Sequence, residues 1–120
     1  VSGVAGFVQK AGCTALTLSA APWRQTVEKQ CEHAWRRLNE IGLSCLCPEG
    51  SFYCFPSIVS TGLTSEQFAL ALAEQAGVAV LPGTLFGRRG AGHVRISVGG
   101  EWETLNWALD QIEKFVKAAG

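Results

Sequence analysis

Arg95 is the residue of this chain whose chemical type and position ask most clearly for a partner. It stands in the run His93-Val94-Arg95-Ile96-Ser97-Val98, where polar and apolar residues alternate. A period of two marks a β-strand, so Val94, Ile96 and Val98 face one way and His93, Arg95 and Ser97 face the other. An arginine inside such a strand needs an anion, water or a carbonyl beside it. Two readings follow. One is an exposed arginine on an open sheet face. The other is a fixed fork for a carboxylate, because two parallel guanidinium donors match two carboxylate oxygens and a strand holds that fork more rigidly than a loop.

The other reactive side chains offer less. Arg88 and Arg89 lie in the glycine-rich segment from Gly83 to Gly92, which must be turn or loop. They could meet a phosphate. The segment is nevertheless no P-loop, which needs Gly-Lys-Ser/Thr leading into a helix, whereas Gly87-Arg88-Arg89 leads to a strand. Cys54 and His93 lack the third group that would orient a nucleophile and its base, so a core cysteine is the preferred reading. His33 sits among charged neighbours and is expected to be solvated. Glu101 and Glu103 belong to a helix start, where negative charge is favourable in any case. No catalytic residue is assigned. The five cysteines fall at 13, 31, 45, 47 and 54. With His33, Cys31, Cys45 and Cys47 superficially suggest a metal site, but the spacing is wrong for zinc. An odd count also argues against a disulfide framework. Buried free thiols acting as small hydrophobes are expected.

Composition bounds the class. The 120 residues are 48% hydrophobic and 17% charged with no formal net charge, which describes one globular domain. Neutrality argues against a nucleic-acid partner, since no basic excess displaces phosphate counterions. No apolar run approaches the roughly 20 residues of a membrane span and no signal peptide opens the chain, so a cytoplasmic location is expected by default. Four tryptophans and no methionine read as a piece of a longer chain with aromatic surface meant for a neighbour.

The elements that must position Arg95 can be read from periodicity. Residues 1–20 admit helical or irregular structure. Pro22 sits where a first helical turn tolerates it, and Trp23, Val27, Cys31, Ala34, Trp35, Leu38 and Ile41 follow at helical steps, with Gly42 as C-cap. Leu43–Cys47 and Ser51–Phe55 are strand candidates around a Pro48-Glu49-Gly50 turn. Thr64 and Gln67 form a capping box before a helix buried through Phe68, Ala71, Leu72 and Ala76 and ended by Gly77. Val78–Leu81 reads as a short buried strand. After Gly99-Gly100, Trp102, Leu105, Leu109, Ile112 and Val116 make the stripe of a last helix, thickened by Ala108 and Phe115. The expected fold is α/β in two layers: a three- to four-stranded sheet with helices packed on one face, preceded by a long helix.

Four blocks carry a family resemblance: Gly50-Ser51-Phe52-Tyr53-Cys54-Phe55-Pro56, Gly77-Val78-Ala79-Val80-Leu81-Pro82-Gly83, Phe86-Gly87, and Gly92-His93-Val94-Arg95-Ile96-Ser97. In order and spacing they resemble the C-terminal part of class I/II aminotransferases, the fold type I pyridoxal-phosphate enzymes of the aspartate aminotransferase kind. The resemblance implies a division into 1–21 (tail of the large domain and linker), 22–42 (connecting helix) and 43–120 (small domain). It implies that Arg95 binds the α-carboxylate of an amino-acid or 2-oxo-acid substrate, and that Phe86 helps close the cleft over it. Tyr53 and Phe55 are then structural, in the strand beneath that loop. The double arginine at 88 and 89 departs from the family and would favour an acidic substrate if it faces the cleft. The resemblance further implies pyridoxal 5'-phosphate as cofactor and a homodimer for the full-length enzyme. The catalytic lysine and most cofactor contacts belong to the missing large domain, so this segment alone is expected to be inactive. A lyase, decarboxylase or acyltransferase on the same fold, and a stand-alone binding module without catalysis, are the alternatives.

Overall fold

The computed structural model describes residues 3–119. Residues 1, 2 and 120, at the outer ends of the expected 1–21 and 43–120 segments, lie outside the described residues. The chain begins with helix α1 (Gly6–Ala15), which has no side-chain cap and buries no residue. Helix α2 (Ala21–Ile41) starts with Pro22 in its first turn, where the missing N–H leaves no bond unmade. It stops at Gly42, whose φ of 95° a side chain would oppose. Its buried stripe is Val27, Cys31, Ala34 and Leu38. Trp23 does not belong to it, being 63% exposed. Two turns further on, the buried Gln30 donates to the Gly100 carbonyl at 2.6 Å, so a polar tie occupies part of that face.

The expected strand Leu43–Cys47 forms no ladder. Leu43 and Cys45 are buried as strand alternation demands. Ser57 N donating to Ser44 O at 2.7 Å is a single main-chain bond rather than a ladder, and at Cys45 side chains meet the backbone. The Asn39 amide accepts from Cys45 N at 3.1 Å and donates to Cys45 O at 3.0 Å, and Trp35 Nε1 donates to the same oxygen at 3.0 Å. With Cys45 N and O both paired by side chains, no strand is needed there to satisfy them.

The sheet has three antiparallel strands in the order β1-β3-β2, formed by β1 (Tyr53–Cys54), β2 (Leu81–Pro82) and β3 (Val94–Ser97). Both outer strands are shorter than expected. Of the Val78–Leu81 run only Leu81 pairs with β3, Val78 alone is buried, and Leu81 is 41% exposed. Pro82 closes the strand on the sheet edge, where its missing N–H costs no ladder bond. The alternation in β3 is realised: Val94, Ile96 and Val98 are buried with Cys54 against the helices.

Helix α3 (Ser65–Ala76) carries the capping box, with Gln67 N donating to Thr64 Oγ1 at 3.2 Å and Thr64 N donating to Gln67 Oε1 at 3.0 Å. Helix α4 (Trp102–Ala119) buries Leu105, Leu109, Ile112 and Phe115, and Phe115 meets Phe68 of α3 edge-on at 5.4 Å. Leu38 and Leu109 are wholly enclosed, each such side chain stabilising the fold by about 1.5–3 kcal/mol. Where α2 and α4 face each other, Arg37 binds Asp110 at 2.8 Å and Glu113 at 3.0 Å. His33 is not a solvated helix residue. Its Nε2 lies 2.7 Å from Asn106 Oδ1 and its ring packs 4.6 Å from that of Trp102, so it joins the same two helices.

Candidate functional site

The helices cover one face of the sheet and leave the other to β1, β3 and the segment after β2. Alternation turns Arg95 to that outer face, and the register Tyr53↔Ser97 puts the Tyr53 side chain there too. The Arg95 guanidinium carbon lies 4.2 Å from the centre of the Tyr53 ring and 4.5 Å from that of Phe86. Phe86 in turn meets Phe55 edge-on at 6.1 Å, and Phe55 stacks on His93 at 5.4 Å with ring planes 9° apart. The result is a continuous strip of Tyr53, Arg95, Phe86, Phe55 and His93. Arg95 is half-buried and makes no ion pair or hydrogen bond among the described residues. A cation over aromatic faces is attracted by each ring, by about 0.5–1 kcal/mol at an exposed site and more once water is gone. That attraction leaves the charge unneutralised and the in-plane N–H donors free.

Phe86 is delivered by a 3₁₀ turn, Gly83–Phe86, followed by a second over Arg88–Gly90. The glycine-rich segment is therefore ordered turn, and its glycines are needed for one close crossing. A Cβ on Gly83 would fall on the Gly90 carbonyl oxygen, and a Cβ on Gly90 would fall on the Gly83 carbonyl. The crossing is fastened where Gly83 N donates to His93 O at 2.8 Å and His93 N donates to Gly90 O at 3.1 Å. The Thr84 hydroxyl donates to Glu66 at the start of α3, which holds the Glu66 carboxyl below its usual range. The buried Ser65 hydroxyl accepts from Gly92 N at 3.0 Å. The turn is thereby tied to β3 and α3 together.

The remaining candidates are not brought to this face as a group. Arg88 and Arg89 lie on the exposed side of their turn and make no ion pair among the described residues. Cys54 and His93 are separated by the sheet, since Cys54 is fully buried on the helix side and His93 stacks on Phe55 outside. A hydrogen bond with Cys45 and burial push the Cys54 thiol well up from its ordinary value, and burial raises Cys31 as well. These are unreactive core thiols. Cys13 and Cys47 are exposed, which corrects the expectation that all five cysteines are buried: α1 buries nothing, and Cys47 lies past the point where Asn39 holds the chain. Among the described residues no group of three His, Cys, Asp or Glu is arranged to hold a metal. The participation of Tyr53 was legible only in part: the residues put it in the strand candidate Ser51–Phe55 and the resemblance implied a structural role, but neither gave the strand register that sets it beside Arg95.

The sequence matches the model of the family "Aminotransferase class I and II" over residues 15–112. It is 41% identical over 117 residues to an aspartate aminotransferase of Pyrococcus abyssi, a match covering 92% of this chain and 30% of that protein. Its fold superposes on an aspartate aminotransferase of Thermotoga maritima with a TM-score of 0.87 and 31% identity, over 95% of this chain and 29% of the other. A PLP-bound protein from Clostridium difficile 630 is also similar, at TM-score 0.75 and 26% identity over 80% of this chain and 25% of that one. The chain thus spans about 30% of the length of the curated relatives it matches.

Proposed function

Because the chain belongs to the class I and II aminotransferases, we propose that it forms the substrate-carboxylate side of the cleft in an enzyme that moves an amino group between an amino acid and a 2-oxo acid. The observation that carries this reading is Arg95, a half-buried cation on a rigid strand, without a counter-charge among the described residues and supported over two aromatic rings. In the proposal the guanidinium grips the substrate's α-carboxylate through two parallel charge-assisted bonds. Phe86, resting on Arg95, shields that pair from water, and a drier site strengthens it. Two fixed points on one carboxylate set how the substrate's Cα presents its proton to the rest of the enzyme.

The family is in general dependent on pyridoxal phosphate, but the residues of this segment do not fit the group by themselves. Lys10, Lys29, Lys114 and Lys117 all lie on the exposed surfaces of α1, α2 and α4, and the one aspartate, Asp110, is bound to Arg37. The outer sheet face offers neither a lysine for covalent attachment nor a carboxylate for the ring nitrogen. The cofactor is therefore proposed for the complete enzyme, and the reading assigns this chain only the grip, orientation and shielding of substrate. The same reading takes 22–42 as the connecting helix, 43–120 as the small domain and 1–21 as the tail of the large domain, in a homodimeric cytoplasmic enzyme. No described helix is long and apolar enough to cross a membrane.

The test uses the complete enzyme that carries this segment. Given a ¹⁵N-labelled amino acid and an unlabelled 2-oxo acid, it should yield the labelled amino product and the first substrate's 2-oxo acid. Release of carbon dioxide, ammonia or an elimination product in place of the transferred label would reject transamination.

A further inference from the structure

We propose that Tyr53 is a positioning residue for the carboxylate grip, holding the Arg95 guanidinium in the orientation that receives a carboxylate edge-on. The inference deepens, and rests on, the reading of Arg95 as the substrate anchor. A free arginine side chain samples many rotamers, and ordering it on binding would weaken the complex. Here no hydrogen bond or ion pair orders it among the described residues. Tyr53 and Phe86 are the groups its guanidinium carbon lies over.

The two rings are not equivalent. Phe86 is 49% exposed and sits at the end of a 3₁₀ turn, so its position follows that turn. Tyr53 belongs to β1, paired with β3 itself; it is half-buried, and its ring packs 4.5 Å from Phe52. Tyr53 is therefore the fixed member of the pair. The ring contacts leave the Arg95 side-chain N–H donors without a partner among the described residues, and those donors are what a carboxylate pairs with. A neighbouring aspartate or glutamate would hold Arg95 as firmly but would occupy the fork and cancel the charge. The side chains that share this face, Phe55, Leu81, His93 and Ser97, include no acid.

The experiment compares Tyr53→Phe, Tyr53→Leu and pentafluorophenylalanine at position 53 in the complete holoenzyme, each with Arg95 intact and with Arg95→Ala. The readouts are KM for the amino acid, kcat, and competitive inhibition by propionate, which offers a carboxylate and little else. Tyr53→Leu should raise KM and the propionate inhibition constant about five- to tenfold, and Tyr53→Phe should keep both within about twofold of the parent. Pentafluorophenylalanine keeps the ring's shape but reverses its charge distribution, so it should behave like leucine even if the leucine variant folds poorly. On Arg95→Ala none of these changes should alter KM further. The proposal is overturned if the fluorinated ring behaves like phenylalanine, or if Tyr53→Leu is equally harmful without Arg95, which is the signature of a merely structural residue. Should Arg95→Ala itself leave KM and propionate inhibition unchanged, the anchor reading falls first. An effect of Arg95→Ala with none from position 53 removes Tyr53 alone.

Discussion

Arg37 and Arg95 are both half-buried cations on regular secondary structure, and they are held in opposite ways. Arg37 lies between α2 and α4 with Asp110 and Glu113 within 3.0 Å, and these partners raise its pKa, Asp110 foremost. Its charge is cancelled inside the fold. Arg95 has aromatic rings where Arg37 has carboxylates. Rings steady a guanidinium without satisfying it, so its donors remain available to a ligand. The pair of residues teaches that burial alone does not separate an arginine whose donors are spent inside the fold from one whose donors stay open. What separates them is whether the contacts are carboxylates that take up the N–H donors or rings that leave them unpaired.

The comparison breaks most visibly at Arg95 itself. Arg95→Ala in the complete enzyme should lower kcat/KM for the amino acid about 10- to 100-fold, raising KM and reducing kcat, while leaving the thermal midpoint nearly unchanged. Steady-state kinetics beside a melting curve test both halves of that statement. Next comes the support for Phe86. Gly90→Ala drives a Cβ into the Gly83 carbonyl, so the turn must shift. A loss of about 1–3 kcal/mol is expected in urea unfolding, together with a higher KM.

Arg37→Ala should show the reverse of the Arg95 pattern, with a stability loss of about 1 kcal/mol and kcat/KM unaltered. A changed KM there would erase the distinction between the two arginines. The smallest effect concerns the Thr84–Glu66 tie. The folded Glu66 carboxyl titrates below its ordinary value near 4.5, so its contribution is complete above that value and disappears as pH falls through the depressed one. Glu66→Ala should therefore lower the thermal midpoint slightly at neutral pH and make no difference in acid. A difference that persists or grows in acid would reject the tie.

Much of this arrangement was legible in the residues, and the exceptions share a cause. The alternation of β3, the Gly42 stop and the Thr64–Gln67 box are local patterns, and local patterns survive folding. Leu43–Cys47 carries the same alternation as a strand and even the same burial. What denies it a ladder is Asn39, a side chain whose amide does the work of a neighbouring backbone. His33 has charged neighbours in sequence, but Asn106 and Trp102 come to it from another helix. The outer face was half visible for a similar reason. Periodicity turns Arg95 outward, whereas the Tyr53 ring beneath it depends on the pairing of strands far apart in the chain.

The crossing of Gly83 and Gly90 has a consequence for how this protein can diversify. The crossing itself is written in main-chain atoms, which no side-chain change at Leu85, Arg88 or Arg89 removes. Those side chains are exposed, so the frame that holds the loop and the chemistry displayed on it are inherited separately. A lineage can rewrite the exposed side of this turn one residue at a time without surrendering the turn's shape.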